Sequence, residues 1–269
     1  MRCPASLWRG RLLLRAPLLR KDKSQYANEA RARLDEWPLG IAAKLDIFAC
    51  LSHLHFMIIA IDGTLASGKG TIARAMAAAF GLPYMDTGRL YRATGVAALR
   101  AGIAFEDHAR LAELAANLDL DAFTEADLRT AEAGQAASKV AAIPNVRAAL
   151  LNLQRRFAHQ PGGAVLDGRD IGTVVCPDAH VKLWIDAAVE ERAKRRTNEL
   201  NALGNPITVT QMTAELIERD TRDKSRTTAP MKMAEDAVLI DTTDLSIDAA
   251  VDKARAVINA AQNAGNSSF

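Results

Sequence analysis

Gly63-Thr64-Leu65-Ala66-Ser67-Gly68-Lys69-Gly70-Thr71 follows directly on the aliphatic run Ile58-Ile59-Ala60-Ile61-Asp62. The spacing is a glycine, four residues, Gly-Lys, then Gly-Thr. Downstream, Ile72, Ala75, Met76, Ala79 and Phe80 recur at the i, i+3, i+4, i+7, i+8 spacing of a helix packed on a sheet. A short apolar run, a glycine loop and an amphipathic helix make one βα unit. In that context the loop is a phosphate cradle. Its glycines let backbone N–H groups turn toward anionic oxygens, the helix points its positive end at them, and Lys69 reaches the terminal phosphates. A glycine loop formed by chance would lack the strand before it and the helix after it.

The same alternation continues outward. Tyr84–Asp86, Ala164–Asp167, Val181–Ile185 and Ala237–Asp241 read as further short strands. Helical spacing covers about 69–80, 89–100, much of 107–160, 189–203 and 210–224, and a final helix begins near Ile247. Strands that alternate with helices predict an α/β fold, a parallel sheet covered on both faces in three layers. The expected domain spans 57–262, with an acceptor-binding insertion at about 87–160, a short lid at about 190–226 and a frayed tail at 263–269.

Composition bounds the rest. Nearly half of the residues are hydrophobic and few are aromatic, which fits a globular chain with an aliphatic core. The net charge of +2 is unevenly placed: residues 1–56 carry +5 and residues 57–269 carry −3. A slightly acidic domain argues against a non-specific polyanion binder, so no nucleic-acid partner is expected. No apolar run approaches the ~18 residues a membrane span needs. Cys3, Cys50 and Cys176 form no metal or redox spacing, and unpaired thiols in a reducing, cytoplasmic setting are expected. The Arg-rich, acid-poor start fits an organellar transit peptide. It also fits an upstream extension without fixed structure, because Met57 stands directly before the first strand. The second reading, with translation starting at Met57, is preferred.

Several nucleotide-binding classes share such a loop. The Asn-Lys-x-Asp guanine signature is absent. Three later arginine clusters are present. Asp86-Thr87-Gly88 with Tyr91 and Arg92 stands at a strand-to-helix junction, where a capped helix with a surface arginine is the plain alternative. Asp167-Gly168-Arg169-Asp170 follows a strand, at the edge where open parallel sheets bind ligands; a tight turn is the plain alternative. Arg219, Arg222, Asp223 and Arg226 recur at helical spacing, downstream of Arg192, Arg195 and Arg196. A solvated charged face would look similar. Transfer of a phosphoryl group between two polyanions needs more arginines than hydrolysis does. The residues alone thus favour a small-substrate kinase, with an adenylate or shikimate kinase, a P-loop switch or hydrolase, and an RNA binder using the N-terminal arm as rivals.

These pieces, with Ala137-Ser138-Lys139-Val140-Ala141-Ala142-Ile143-Pro144 and Val146-Arg147, resemble bacterial cytidylate kinase from about Met57 to Gln262. The resemblance implies a three-layer P-loop kinase that uses ATP, with Mg²⁺, to phosphorylate CMP or dCMP, as a cytoplasmic monomer without membrane or nucleic-acid partners. It implies an ATP site of Gly63, Thr64, Leu65, Ala66, Ser67, Gly68, Lys69, Gly70 and Thr71. Thr87, Ser138, Arg147 and Asp170 would lie at the cytosine ring, beside Tyr91. Arg92, Arg169 and Arg226 would grip the acceptor phosphate, and Arg219 and Asp223 would reach the ribose. Lys69, Arg169 and the lid residues Arg192 and Arg196 would be catalytic. No residue is assigned as a direct metal ligand, because Gly70 stands where many P-loops place a hydroxyl. Many members carry a longer β-rich insert where this chain has only Leu118 to Ala137, a stretch that reads as helical or irregular and flanks the acceptor site.

Overall fold

In the computed structural model of the chain, residues 56–266 are described. The expected extension at 1–56 lies outside them except for Phe56. Strand β1, Met57–Gly63, is buried along its whole length. Its alternate residues feed two cores, which is why it carries no polar-apolar alternation. Met57, Ile59 and Ile61 pack on one face with Ile72 and Met76, and with Ala250, Ala254 and Ile258 of the last helix. Ile58 and Ala60 pack on the other with Ala158, Ala164, Leu166, Ile171 and Val175.

Four more strands complete a parallel sheet: β2 (Tyr84–Asp86), β3 (Gly163–Gly168), β4 (Val181–Asp186) and β5 (Val238–Asp241). The order is β2-β3-β1-β4-β5. Asp62 pairs in register with Gly168, and Gly63 with Ile185, so β1, β3 and β4 end together. The glycine loop and the Gly168-Arg169-Asp170 turn therefore emerge side by side.

The helices are α1 (Lys69–Phe80), α2 (Thr87–Arg100), α3 (His108–Ala116), α4 (Glu125–Leu128), α5 (Ala131–Val140), α6 (Pro144–Ala158), α7 (Val189–Ala202), α8 (Val209–Ser225) and α9 (Ile247–Asn266). A π-helical turn occupies Ile171–Val175, where no helix was expected. Helices α2, α3, α5 and α6 share a core of Leu90, Leu111, Val140, Val146 and Leu150. The short stretch 118–137 is a 3₁₀ turn and two helices, without strands. Helices α7 and α8 close a small cluster of Ala193, Leu200, Met212 and Leu216, against which Leu65 of the glycine loop rests.

One placement and one boundary differ from the sequence reading. Helix α8 ends at Ser225, and Arg226 is extended (φ −57°, ψ 136°), so Arg226 does not share a helical face with Arg219. Ser225 and Arg226 precede Thr227-Thr228-Ala229-Pro230, where β-branching and the proline oppose a continued helix. Helix α9 runs to Asn266, past the expected end at 262.

A Cβ added at Gly63 would lie 1.9 Å from the carbonyl oxygen of Ile185, whereas one at Gly68 (φ +88°) meets nothing within 4 Å. Gly63→Ala should therefore cost more than Gly68→Ala: about 3 kcal/mol from forced separation of β1 and β4, against ~1–2 kcal/mol of left-handed backbone strain. Thermal melting of both variants checks the order.

Candidate active site

The glycine loop is built as a concave ring of amides. Gly68 caps α1 in the left-handed region, with no side chain over the first helical N–H groups. The Thr71 N–H turns back to the Gly68 carbonyl at 3.0 Å, and the first amides of a helix, which lack an acceptor one turn back, are where an anion can bind. Ala66 also takes a positive φ, 63°, which a residue with a Cβ adopts only under constraint.

The constraint comes both from within the loop and from outside it. The Thr64 hydroxyl donates to Asp186 Oδ1 at 2.6 Å, and the Ser67 hydroxyl donates to the Thr64 carbonyl at 2.9 Å. Thr242 Oγ1 donates to the Ser67 carbonyl at 2.9 Å, and Arg192 Nη1 donates to the Leu65 carbonyl at 3.2 Å. Three loop carbonyls are thus engaged by protein donors, which fixes the loop before any ligand arrives.

Lys69 opens α1 inside this ring and is half-buried. Burial, then the charge of Arg169, lowers its ammonium to about 8, against the pull of Asp167 and Asp86. Asp167 is buried and accepts from the Tyr84 hydroxyl at 2.9 Å. Burial pushes its carboxyl up, opposed by Lys69. Burial also disfavours the Asp86 carboxylate, but Arg92 and Lys69 outweigh it and hold that carboxyl below its ordinary value.

Beside the loop, four segments bring charge together. Arg92 of α2 bonds Asp86 at 2.6 Å. Arg169, after β3, and Arg226, after α8, flank the two oxygens of buried Asp223 at 3.5 and 3.8 Å. Arg219 of α8 donates to the Gly134 carbonyl at 3.4 Å. Arg219 also feels the charges of Arg169, Arg92 and Arg196. Burial first and then Arg169 lower it to about 10. Burial likewise lowers Arg226. Arg169 Nε, Arg219 Nε, and Nε and Nη2 of Arg226 are buried and have no hydrogen-bond partner in the protein. Such donors call for an anionic acceptor.

Next to this cluster, Arg147 pairs with Asp170 and stands 5.4 Å over the Tyr91 ring. Both charged side chains are almost fully buried. Thr87 Oγ1 donates to the Asp167 carbonyl at 2.7 Å, and Ser138 Oγ accepts from Arg222 at 2.9 Å. A guanidinium, a carboxylate and an aromatic ring are thus in mutual contact here.

The arginines of α7 divide. Arg196 pairs with Glu199 at 2.8 Å and lies near Arg219. Arg192 is buried and committed to protein groups: the Ala187 and Leu65 carbonyls and Asp220, the last at 2.8 Å. It braces α7 and α8 against the glycine loop rather than facing the arginine cluster. Arg195 turns the other way and bonds Thr242.

Sequence reading missed Asp186, Thr242, Asp220 and Asp62 as parts of this site. Only Asp62 carried a signal, a carboxylate ending an otherwise aliphatic strand. The others act on residues from 28 to 175 positions away.

Because Arg226 carries buried donors without partners, Arg226→Met should leave the unliganded melting temperature unchanged or raised. It should weaken a bound phosphate monoester by about 2 kcal/mol, roughly thirtyfold. Scanning fluorimetry with and without the monoester reads both effects.

A family model described as cytidylate kinase matches residues 59–260. The chain is 51% identical over 216 residues to a cytidylate kinase of Methylocella silvestris, covering 79% of this chain and 100% of that one. It is 54% identical over 207 residues to one of Cereibacter sphaeroides, covering 77% and 97%. It is 53% identical over 204 residues to one of Xanthobacter autotrophicus, covering 76% and 98%. With a parallel sheet that delivers a phosphate loop and an arginine cluster to the same edge, this chain belongs to the cytidylate kinase family.

Proposed function

We propose that the chain transfers the γ-phosphoryl group of ATP to CMP or dCMP, giving ADP and CDP or dCDP. The observation that carries this is the convergence of Arg169, Arg219 and Arg226 beside Lys69, with buried donors that no protein acceptor satisfies. A hydrolase with one nucleotide would have no use for that second cluster.

The loop 63–71 would hold the ATP phosphates on its amides. Arg92, Arg169 and Arg226 would hold the acceptor phosphate, whose oxygen is already anionic, so no general base is required. The protein would contribute alignment and charge neutralisation by Lys69, Arg169 and Arg196. In this reading residues 87–160 bind the acceptor and 190–226 form the lid. Arg192 would act there by holding the lid helices to Leu65.

The side-by-side Arg147 and Asp170 suit cytosine, whose carbonyl accepts and whose exocyclic amine donates. Uracil offers Asp170 no amine, so UMP should be the poorer acceptor. Ser138 and Thr87 would complete the base pocket. Arg219 and Asp223 would reach the ribose.

Mg²⁺ fits this site. A Cβ at Gly70 would lie 3.1 Å from Asp167 Oδ2, so a carboxylate borders the loop where Gly70 supplies no hydroxyl. Asp167 would hold the ion's water shell together with the ATP oxygens, a hard oxygen set of the kind the ion prefers. When bound, the ion neutralises charge on the β- and γ-phosphates. The enzyme is read as a monomer of the cytoplasm. Its buried Cys176, pushed up to about 12 by burial, stays an inert thiol there.

A coupled ADP-release assay with CMP, dCMP, UMP, AMP and shikimate tests the reading. CMP or dCMP should give the highest kcat/KM, and Lys69→Ala should lower kcat about 10²–10³-fold with the melting temperature held. Nucleotide hydrolysis unaffected by any acceptor would sink it. The lowered Lys69 adds a pH signature. Above pH 8 the free enzyme loses that positive charge, so kcat/KM for ATP should fall by about tenfold per pH unit.

A further inference from the structure

The turn that carries Arg169 and Asp170 runs straight into the π-helical turn Ile171–Val175. Asp170 is its N-cap, and an aspartate there ordinarily accepts the first free amides of the helix. Asp170 makes no such bond. Its carboxylate is turned to Arg147 instead.

The orphaned amides are satisfied from a neighbouring strand. The N–H groups of Ile171 and Gly172 donate to Asp62 Oδ1 and Oδ2, each at 2.8 Å. Asp62 is buried near the end of β1, opposite Gly168. At the far end of the turn, Arg155 of α6 donates to the carbonyls of Val175 at 3.1 Å and Val174 at 2.8 Å. The turn is thus held at both ends by side chains from two other elements.

We infer that Asp62 and Arg155 are positioning residues for the acceptor: by taking over both ends of this turn, they free the Asp170 carboxylate to face the base and set Arg169 toward the acceptor phosphate. The inference rests on the function proposed above. Packing alone does not explain Asp62. Burial pushes its carboxyl up to about 7, against the lowering effect of the two amide bonds and Arg169, while the charge of Asp170 adds to the rise. An apolar residue of similar size would avoid that cost but would strand two buried amides. The other ionisable groups nearby do not compete for it. Lys182 of β4, packed under Gly172, has its ammonium on Asp236 and the Pro177 carbonyl, and the Cys176 thiol is neutral.

The test measures KM for acceptor and for ATP separately in wild type, Asp62→Asn and Arg155→Ala, with unliganded melting curves. The acceptor is whichever monophosphate the panel above selects, so a different acceptor revises that reading and leaves this one intact. The carboxamide of the Asp62→Asn variant keeps the shape but turns an N–H₂ toward one of the two amides. Asp62→Asn should raise the acceptor KM at least tenfold and change the ATP KM less than twofold. Arg155→Ala, at an exposed position, should raise the acceptor KM about threefold with the ATP KM unchanged. A lowered melting temperature with both KM values intact would mean a purely structural role and would overturn the inference. So would equal rises in both. If Asp62→Asn does not fold, Arg155→Ala decides alone, and an unchanged acceptor KM in it ends the proposal.

Discussion

Two guanidinium groups, Arg169 and Arg226, lean on one buried carboxylate, Asp223, and that ratio is the constraint on which the site depends. One negative charge cannot balance two positive ones, and Arg219 joins them from the same helix as Asp223. The result is a cluster with surplus positive charge and buried donors that have no hydrogen-bond partner in the protein. Such an arrangement is costly in the empty protein, because desolvated like charges repel and orphaned N–H groups lose their water. It persists because the surrounding fold over-determines it. An anionic ligand turns the same cost into affinity.

The scaffold that imposes this cost has two parts: the sheet, and a helix pair with its own small core. The sheet, with β1, β3 and β4 ending in register, fixes the glycine loop and the Arg169 turn side by side. The arginines of α8, in contrast, belong to a helix pair with its own small core. That pair meets the rest through the packing of Leu65 and through polar contacts, among them Arg192 to Leu65, Arg195 to Thr242, Arg222 to Ser138, Arg219 to Gly134 and Asp223 to Arg169.

Much of this was legible beforehand, and for a physical reason. Local rules govern the βα unit at 57–80. An aliphatic run with no alternation implies a strand buried on both faces. The glycine spacing implies a loop of inward amides, and the apolar stripe from Ile72 to Phe80 implies a helix on a sheet. Arg169 was readable as a candidate because it follows a strand at the carboxyl edge of the sheet, the edge where open parallel sheets bind ligands. The errors fell where periodicity was extended too far. Arg226 fits helical spacing from Arg219, yet α8 stops one residue before it, ahead of a β-branched pair and a proline. Arg192, expected with Arg196 among the lid arginines, is buried and bonds Asp220 on the neighbouring helix, a partner that spacing does not reveal.

By itself, the amino-acid order determined which segments become strands and helices, where the phosphate loop lies and which residue types carry charge. Those features follow from interactions within about four positions along the chain, where backbone geometry leaves few options. Which charges meet was decided only by the folded chain. Asp62 serves amides 109 and 110 residues away, and Thr242 holds a carbonyl 175 residues away. Partnerships of that kind depend on strand order and register, and no spacing rule in the sequence encodes them.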